Sequence, residues 1–225
     1  MTDCEDMISD EQFLAQSGGV NVNSLCNIIE VDNSLNNRMN ENCTDILRHS
    51  HYYDDNFYSY VSDKVNDFFI LSSNIESLAS KITEVKIFIH ILRKQGFEFS
   101  VMCFQECFIS DNLDTSFLHI EGYNCLVQKS KFNRKGGLVI YVAEKYLVKN
   151  KHVPDNFTEQ WELQLVEISG ENLAKNIIIG NIYRLPRNLN SNYTNFNDEI
   201  GRFLSSLDNC TCEVILAGDY NINLL

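Results

Sequence analysis

The chain has 225 residues, of which 44% are hydrophobic, and a formal net charge of -13. This length suits one large domain or a domain with an extension, and the apolar content is enough to build a core. Residues 1–68 hold 13 acidic and 3 basic side chains, whereas residues 69–225 hold 18 acidic and 15 basic ones. This balance excludes a protein that holds DNA or a membrane surface by bulk charge, although an enzyme with a local basic patch and a divalent ion remains compatible.

The cysteines and the N-terminal residues indicate a reduced, intracellular protein. Residues 1–6 do not resemble a signal peptide, and Cys103 lies in an apolar run, where a free Cys acts as a small hydrophobe. We therefore expect free thiols and a nuclear or cytoplasmic protein that is not secreted. The pairs Cys103/Cys107 and Cys210/Cys212 could seed a zinc site. Because no second pair with His follows at zinc-finger spacing, we do not expect zinc. Because no apolar run is long enough to span a bilayer, we expect no membrane partner.

Three segments follow one another along the chain. Residues 1–50 are rich in Asn, Asp and Ser with little periodicity, so we expect an acidic, disordered extension. Residues 51–67 contain a run of tyrosines and acids that is either a linker or an edge segment of the domain. Residues 68–225 are predicted to form the folded domain.

From residue 68 onward, strand and helix patterns alternate. Strands are predicted at 69–71, 97–104, 123–128, 138–142, 163–168, 177–182 and 213–217, with helices after residue 74 and around 196–207. The strand at 163–168 alternates as if one face were exposed, and Glu162 and Glu167 are expected to face solvent. This order predicts an α/β fold with two stacked β-sheets flanked by helices, a four-layer sandwich.

Four apolar runs end on residues that can do chemistry. These residues are Asn74, Glu106, Tyr183, and Asp219 with Asn221. If the strand ends meet at one edge, they form an oxygen-rich site of the kind that Mg²⁺ prefers. Phosphodiester hydrolysis needs such a site, because the phosphoryl oxygens need charge stabilisation and a water must be oriented. The alternatives are a surface Glu, an Asx turn at Asp219, a helix N-cap at Asn74 and a core tyrosine.

One stretch of the chain concentrates positive charge in a predicted turn. It contains Lys129, Lys131, Arg134 and Lys135. These side chains are candidates for contact with the DNA backbone, and a solvated hairpin turn is an equal alternative.

Six short motifs occur in a fixed order. They are N-I-E-S-L at 74–78, Q-E-C-F-I at 105–109, G-Y-N at 122–124, R-K-G-G-L-V-I-Y-V at 134–142, N-I-Y-R-L-P at 181–186 and G-D-Y-N at 218–221. The series resembles the endonuclease/exonuclease/phosphatase superfamily, and more closely the endonuclease domain of non-LTR (LINE-type) retrotransposon polyproteins. The resemblance covers about residues 50–225, and six ordered motifs are far more specific than a lone G-D-x-N.

The resemblance implies a role for each strand-end residue. Glu106 matches the metal-binding Glu, and Asn74 matches an amide near the metal. Tyr183 matches a tyrosine that contacts the scissile phosphate. Asp219 matches the residue that orients or deprotonates the attacking water, and Asn221 lies beside it on the phosphate. The implied cofactor is Mg²⁺, with Mn²⁺ as an alternative, and the implied partners are DNA and, in a full element, a reverse transcriptase domain on the same polypeptide.

The chain also departs from this family's pattern. Ser73 stands where the family has Leu, and Q-E-C-F-I replaces T-E-T-W-L. The family carries two further motifs after G-D-x-N, an Asp on a later strand and a terminal Ser-Asp-His, and neither has a counterpart before the chain ends at Leu225. We therefore expect a C-terminally truncated DNA-nicking endonuclease with weak or no catalysis. The alternatives are a non-catalytic remnant or binding module of the same fold, or a phosphatase or sphingomyelinase-type hydrolase.

Overall fold

The protein folds into two β-sheets and two α-helices. The computed structural model describes residues 27–30, 68–109, 113–130, 136–153, 161–186, 193–207 and 210–221. The strands are β1 (Asn27–Glu30), β2 (Phe69–Asn74), β3 (Val101–Gln105), β4 (Tyr123–Gln128), β5 (Leu138–Ala143), β6 (Leu147–Lys151), β7 (Trp161–Ser169), β8 (Ile177–Arg184) and β9 (Glu213–Asp219); the helices are α1 (Leu78–Lys94), α2 (Tyr193–Leu207) and a 3₁₀ turn, Ser116–Leu118. The first sheet has the order β1-β2-β3-β5-β4 and the second β6-β7-β8-β9.

Each α-helix packs on one sheet through a periodic apolar face. The buried side chains of α1 are the ones that the three- and four-residue spacing predicts: Leu78, Ile82, Val85, Phe88, Ile89 and Leu92. Gly96, with φ of 79°, follows the end of this helix. On the second sheet, the ring of Phe196 in α2 meets that of Trp161 at 5.6 Å in an edge-to-face contact. The predicted sandwich of two sheets flanked by helices is confirmed.

Strand β7 is covered on both faces, so the prediction of a half-exposed strand there is wrong. Leu163 and Leu165 pack in the apolar cluster that includes α2, while Val166 and Ile168 belong to the core shared with the first sheet. Glu162 is fully buried rather than solvent-facing. The alternation of polar and apolar residues was real, but the polar face of this strand meets the other sheet instead of water. Glu167 remains partly exposed and pairs with Lys151 at 3.0 Å.

Two strands were not predicted from the sequence. Residues Asn27–Glu30, within the extension expected to be disordered, pair antiparallel with β2. The two consecutive β-branched residues Ile28 and Ile29 favour a strand at this position. Strand β6 is polar and exposed, with Leu147 at 75% exposure, and it lacks an apolar signal. The rest of residues 1–67 lies outside the described residues, and the division into segments stays a prediction. Within the described parts of the chain, every helix is too short or too polar to cross a membrane.

Candidate active site

The site lies where two pairs of parallel strands end. In the first sheet β2 runs parallel to β3, with Asn74 opposite Gln105. In the second sheet β8 runs parallel to β9, with Tyr183 opposite Asp219. Because β2 and β3 face β8 and β9 across the sandwich, the carboxyl ends of all four strands meet at one edge. The convergence predicted from the sequence is therefore present.

Asn74 is the centre of the cluster that it forms with Glu106, Tyr183 and Asp219. Its amide Nδ2 donates to Glu106 Oε1 at 2.9 Å and to Asp219 Oδ2 at 2.8 Å. Its Oδ1 accepts a hydrogen bond from the backbone N–H of Glu76 at 3.3 Å. The helix N-cap is Ser77, so Asn74 does not cap α1. A neutral donor between two carboxylates lets both approach the same point with less mutual repulsion.

The backbone that presents Glu106 is in an uncommon conformation. Glu106 has φ of 51° and Phe108 has φ of 52°, in the left-handed region. Glu76 and Ser77, which follow Asn74 in the chain, are left-handed as well, at 44° and 80°. The Ser77 N–H donates to the Glu106 carbonyl at 2.7 Å, which ties the two loops together. Left-handed non-glycine residues persist where their surroundings hold them, and they concentrate at functional sites.

Tyr183 is 1% exposed, yet its hydroxyl reaches the site. Burial raises the pKa of Tyr183, and a hydrogen bond to Glu106 and the charges of Glu106, Asp219 and Glu162 raise that pKa further. The phenol is therefore neutral at physiological pH and is a hydrogen-bond donor. The residue is at once a core tyrosine and a member of the cluster.

The G-D-x-N segment is shaped by its backbone. Gly218 has φ of 144°, and a Cβ at this position would overlap the carbonyl oxygen of Ile182. Asp219 Oδ1 accepts the N–H of Asn221 at 3.0 Å, forming the Asx turn that was an alternative interpretation of this residue. Asn221 Nδ2 donates to the Arg184 carbonyl at 2.6 Å. Both Asp219 oxygens thus have fixed partners, and the turn fixes the carboxylate in place beside Asn74.

A buried network of side-chain amides lies between the two sheets, next to the site, and the sequence analysis missed it. Gln105, directly before Glu106, donates through Nε2 to Asn181 Oδ1 at 2.6 Å. Asn181 Nδ2 in turn donates to the carbonyls of Phe104 at 3.0 Å and Val139 at 3.3 Å. Gln105 and Asn181 are 1% and 0% exposed. Their position as polar residues inside apolar runs is the signal that would have found them.

Arg184 is a third residue that the sequence analysis left without a role. It is 2% exposed, lies over the Phe196 ring at 4.8 Å, and its Nη1 donates to the Tyr220 carbonyl at 3.4 Å. The guanidinium therefore braces the turn between Asp219 and Asn221 from the α2 side of the sheet.

The predicted DNA-contacting cluster is described in part. Lys129 follows β4 and is exposed. Lys131, Arg134 and Lys135 lie outside the described residues, so contact between this cluster and DNA stays a prediction.

The donors at this edge fit a hard divalent ion. Glu106 and Asp219 supply carboxylate oxygens, and Mg²⁺ typically takes one or two carboxylates and completes its shell with water and phosphate. Among the described residues, no group of three or more His, Cys, Asp or Glu side chains is placed to hold a metal. The Asn74 oxygen faces the Glu76 amide, so its role as a ligand stays a prediction.

Comparison with known proteins identifies the fold. No protein-family model matches the chain, and no curated protein matches its sequence. Among solved structures, the AP endonuclease LMAP from Leishmania major is similar with a TM-score of 0.51 and 14% identity, over 81% of this chain and 67% of that one. Truncated TDP2 from Caenorhabditis elegans has a TM-score of 0.47 and 18% identity, over 68% and 62%. The mannosyl-6-phosphatase Bt3783 from Bacteroides thetaiotaomicron has 0.49 and 12%, over 70% and 66%.

The chain matches only part of the length of its structural neighbours. The chain spans about three fifths of the truncated TDP2 structure, 62% of its length. The neighbours are members of the endonuclease/exonuclease/phosphatase superfamily. With two sheets, flanking helices and the similarity to the AP endonuclease LMAP, the chain has the α/β sandwich fold of the endonuclease/exonuclease/phosphatase proteins.

Proposed function

We propose that the chain is a divalent-metal-dependent phosphodiesterase domain that nicks DNA. The observation that carries the proposal is the bridge from Asn74 to both Glu106 and Asp219, at 2.9 and 2.8 Å, at the ends of opposed parallel strands. This arrangement concentrates two carboxylates, one amide and one neutral phenol where the four strands end. Those are the groups that phosphodiester hydrolysis with a hard cation needs.

Each residue has a distinct proposed role. Glu106 would hold the metal, with Asn74 fixing its carboxylate, and a bound cation would supply charge stabilisation for the phosphoryl oxygens. Asp219, whose orientation is set by Asn74 and the Asn221 N–H, orients the attacking water and accepts its proton. Tyr183 keeps its proton because its pKa is raised; in this structure the O–H is bonded to Glu106, and we assign it to a phosphate oxygen once substrate is bound. Asn221 lies beside the phosphate in this assignment.

The choice of DNA and the retrotransposon origin rest on the motif order. The R-K-G-G-L-V-I-Y-V and N-I-Y-R-L-P segments favour the LINE-type endonucleases over the lipid and sugar phosphatases of the same fold. In that setting, the domain nicks target DNA to expose a 3′ hydroxyl for a reverse transcriptase on the same polypeptide. Sequencing the full transcript tests this origin, since a reading frame without a polymerase would count against it.

The test of catalysis is nicking of supercoiled plasmid by the purified, cooperatively melting protein. We expect slow nicking with Mg²⁺ or Mn²⁺ and none with EDTA. Glu106→Gln and Asp219→Asn should each lower the rate by about 10²- to 10³-fold. Glu84→Gln, the same type of change at an exposed position of α1, should leave the rate unchanged.

Three results would contradict the proposal. Nicking that persists in EDTA, or that Glu106→Gln leaves intact, would remove the metal assignment. A folded wild-type protein that binds DNA without nicking it would favour the alternative of a binding module with this fold.

Of the histidines in the described residues, His90 lies on α1, His119 before β4 and His152 after β6, outside the four strand ends. A catalytic His is therefore no part of the roles assigned above.

A further inference from the structure

Glu162 is a buried acid beside the site that the proposed chemistry does not use. It lies on β7, directly opposite Tyr183 of β8, and is 0% exposed. Its Oε2 accepts the backbone N–H of Gly137 at 2.6 Å. A carboxylate removed from water is costly unless donors compensate it, so a buried Glu at this place calls for a reason.

The carboxylate sits against the turn that precedes β5. Gly136 and Gly137 have φ of 78° and 81°, and a Cβ on Gly136 would lie 2.6 Å from Glu162 Oε2. The carbonyls of these two glycines accept the N–H groups of Phe108 and Cys107, both at 3.0 Å. The turn is therefore bonded to Glu162 on one side and to the residues after Glu106 on the other.

These bonds act on the strained part of the site. Glu106 and Phe108 are both left-handed, at φ of 51° and 52°, and this conformation persists when neighbouring contacts over-determine it. The bonds from Cys107 and Phe108 to the glycine turn supply such contacts. Moving the turn would release the segment that carries the Glu106 side chain.

We propose that Glu162 is a positioning residue: its buried carboxylate fixes the Gly136–Gly137 turn and, through that turn, the left-handed backbone that presents Glu106. The backbone part of this inference rests on hydrogen bonds alone. The consequence for metal binding rests on the proposed function, in which Glu106 holds the cation.

Amide hydrogen exchange of the whole chain tests the backbone part without any need for activity. In Glu162→Ala, protection at the amides of Cys107, Phe108 and Gly137 should fall roughly tenfold or more, the size expected when an ordinary hydrogen bond is lost. Amides in the centre of β3 and β8 should keep wild-type protection. Glu162→Gln should restore the three amides, because its side-chain oxygen can still accept the Gly137 N–H. Glu167→Gln, on the same strand at a partly exposed site, is the matched control.

A second variant keeps the test decisive if Glu162→Ala does not fold. Gly136→Ala places a methyl group against the same carboxylate from the turn side, and it should deprotect the amides of Cys107 and Phe108 first. Unchanged protection at these amides in the variants that fold would overturn the inference. So would a uniform loss across both sheets, since that result indicates a packing role only.

Mn²⁺ binding, followed by the electron paramagnetic resonance of free Mn²⁺, tests the metal part. Glu162→Ala should weaken binding by about 10- to 100-fold, as supporting residues of metal ligands commonly do, and Glu162→Gln should recover most of the affinity. If wild-type protein does not bind Mn²⁺, the proposed function fails, while the exchange data still decide the role of Glu162. If Glu162→Ala deprotects the segment but leaves Mn²⁺ affinity unchanged, the link to the metal is refuted.

Discussion

Asn74→Asp tests the central contact of the cluster, because it replaces the amide donor with a third carboxylate of nearly the same shape. In the wild type, Nδ2 lies 2.9 Å from Glu106 Oε1 and 2.8 Å from Asp219 Oδ2. Two like charges at such a distance repel by roughly 1.5 kcal/mol even at the dielectric constant of water. Two such pairs give about 3 kcal/mol, before any relaxation, and the loss of two hydrogen bonds to charged acceptors adds to this.

All three side chains are half-buried, so water and small movements reduce the sum. We expect a net loss of about 3 kcal/mol in the free energy of unfolding, and a fall of roughly 10 °C in the melting temperature without metal. Mg²⁺ should recover much of this loss, because a cation between carboxylates replaces repulsion with attraction. Thermal unfolding followed by circular dichroism, in EDTA and in Mg²⁺, measures both effects.

Asn124→Asp is the matched control for this experiment. Asn124 is exposed on β4, and the same change there should alter stability by no more than about 0.5 kcal/mol. Asn74→Ala should lie between the two, since it removes the donor without adding a charge. The reasoning is refuted if Asn74→Asp melts at the wild-type temperature in EDTA, or if Mg²⁺ stabilises the variant and the wild type equally.

Two further predictions concern the second sheet. Gly218→Ala would push a methyl group into the carbonyl oxygen of Ile182, so we expect a loss above about 3 kcal/mol in urea unfolding; a loss below about 1 kcal/mol would show that β8 and β9 are not packed this closely. Tyr183 has a raised pKa because of burial and the nearby carboxylates. The difference in phenolate absorbance between the wild type and Tyr183→Phe should therefore show no ionisation at about pH 10, where an ordinary tyrosine is half ionised. Because the folded state then binds more protons than the unfolded state, wild-type stability should fall as the pH rises above about 10. Tyr183→Phe should lose less stability over that range. Equal losses in the two proteins would contradict a raised pKa for Tyr183.

The sequence allowed the fold and the site's members to be predicted because both signals are local. The spacing of apolar residues in α1 depends on 3.6 residues per turn, and all six predicted core positions are buried. The four strand-end residues could be found because parallel strands bring the residues at their carboxyl ends to one edge of a sheet. The motif order then assigned chemistry to residues that composition alone would have left as polar loop positions.

Strand β7 marks the limit of that reasoning. Its alternation predicts two different faces, but periodicity does not say which surface lies opposite each one. Glu162 was therefore predicted to face solvent, whereas the first sheet and the glycine turn cover it. In the same way, Gln105 and Asn181 are 76 residues apart in sequence and meet only because the two sheets stack.

The sequence by itself determined the order of the helices and of every described strand except β1 and β6, the α/β sandwich, and the residues that stand at the four strand ends. The tertiary structure alone decided that Asn74 bridges two carboxylates, that Glu106 is held in a left-handed backbone, and that a buried acid lies behind it. The physical reason is that local periodicity fixes which way a side chain points within its own element. Distances between elements depend on how the sheets pack, and hydrogen bonds 2.6 to 2.9 Å long are set at that level.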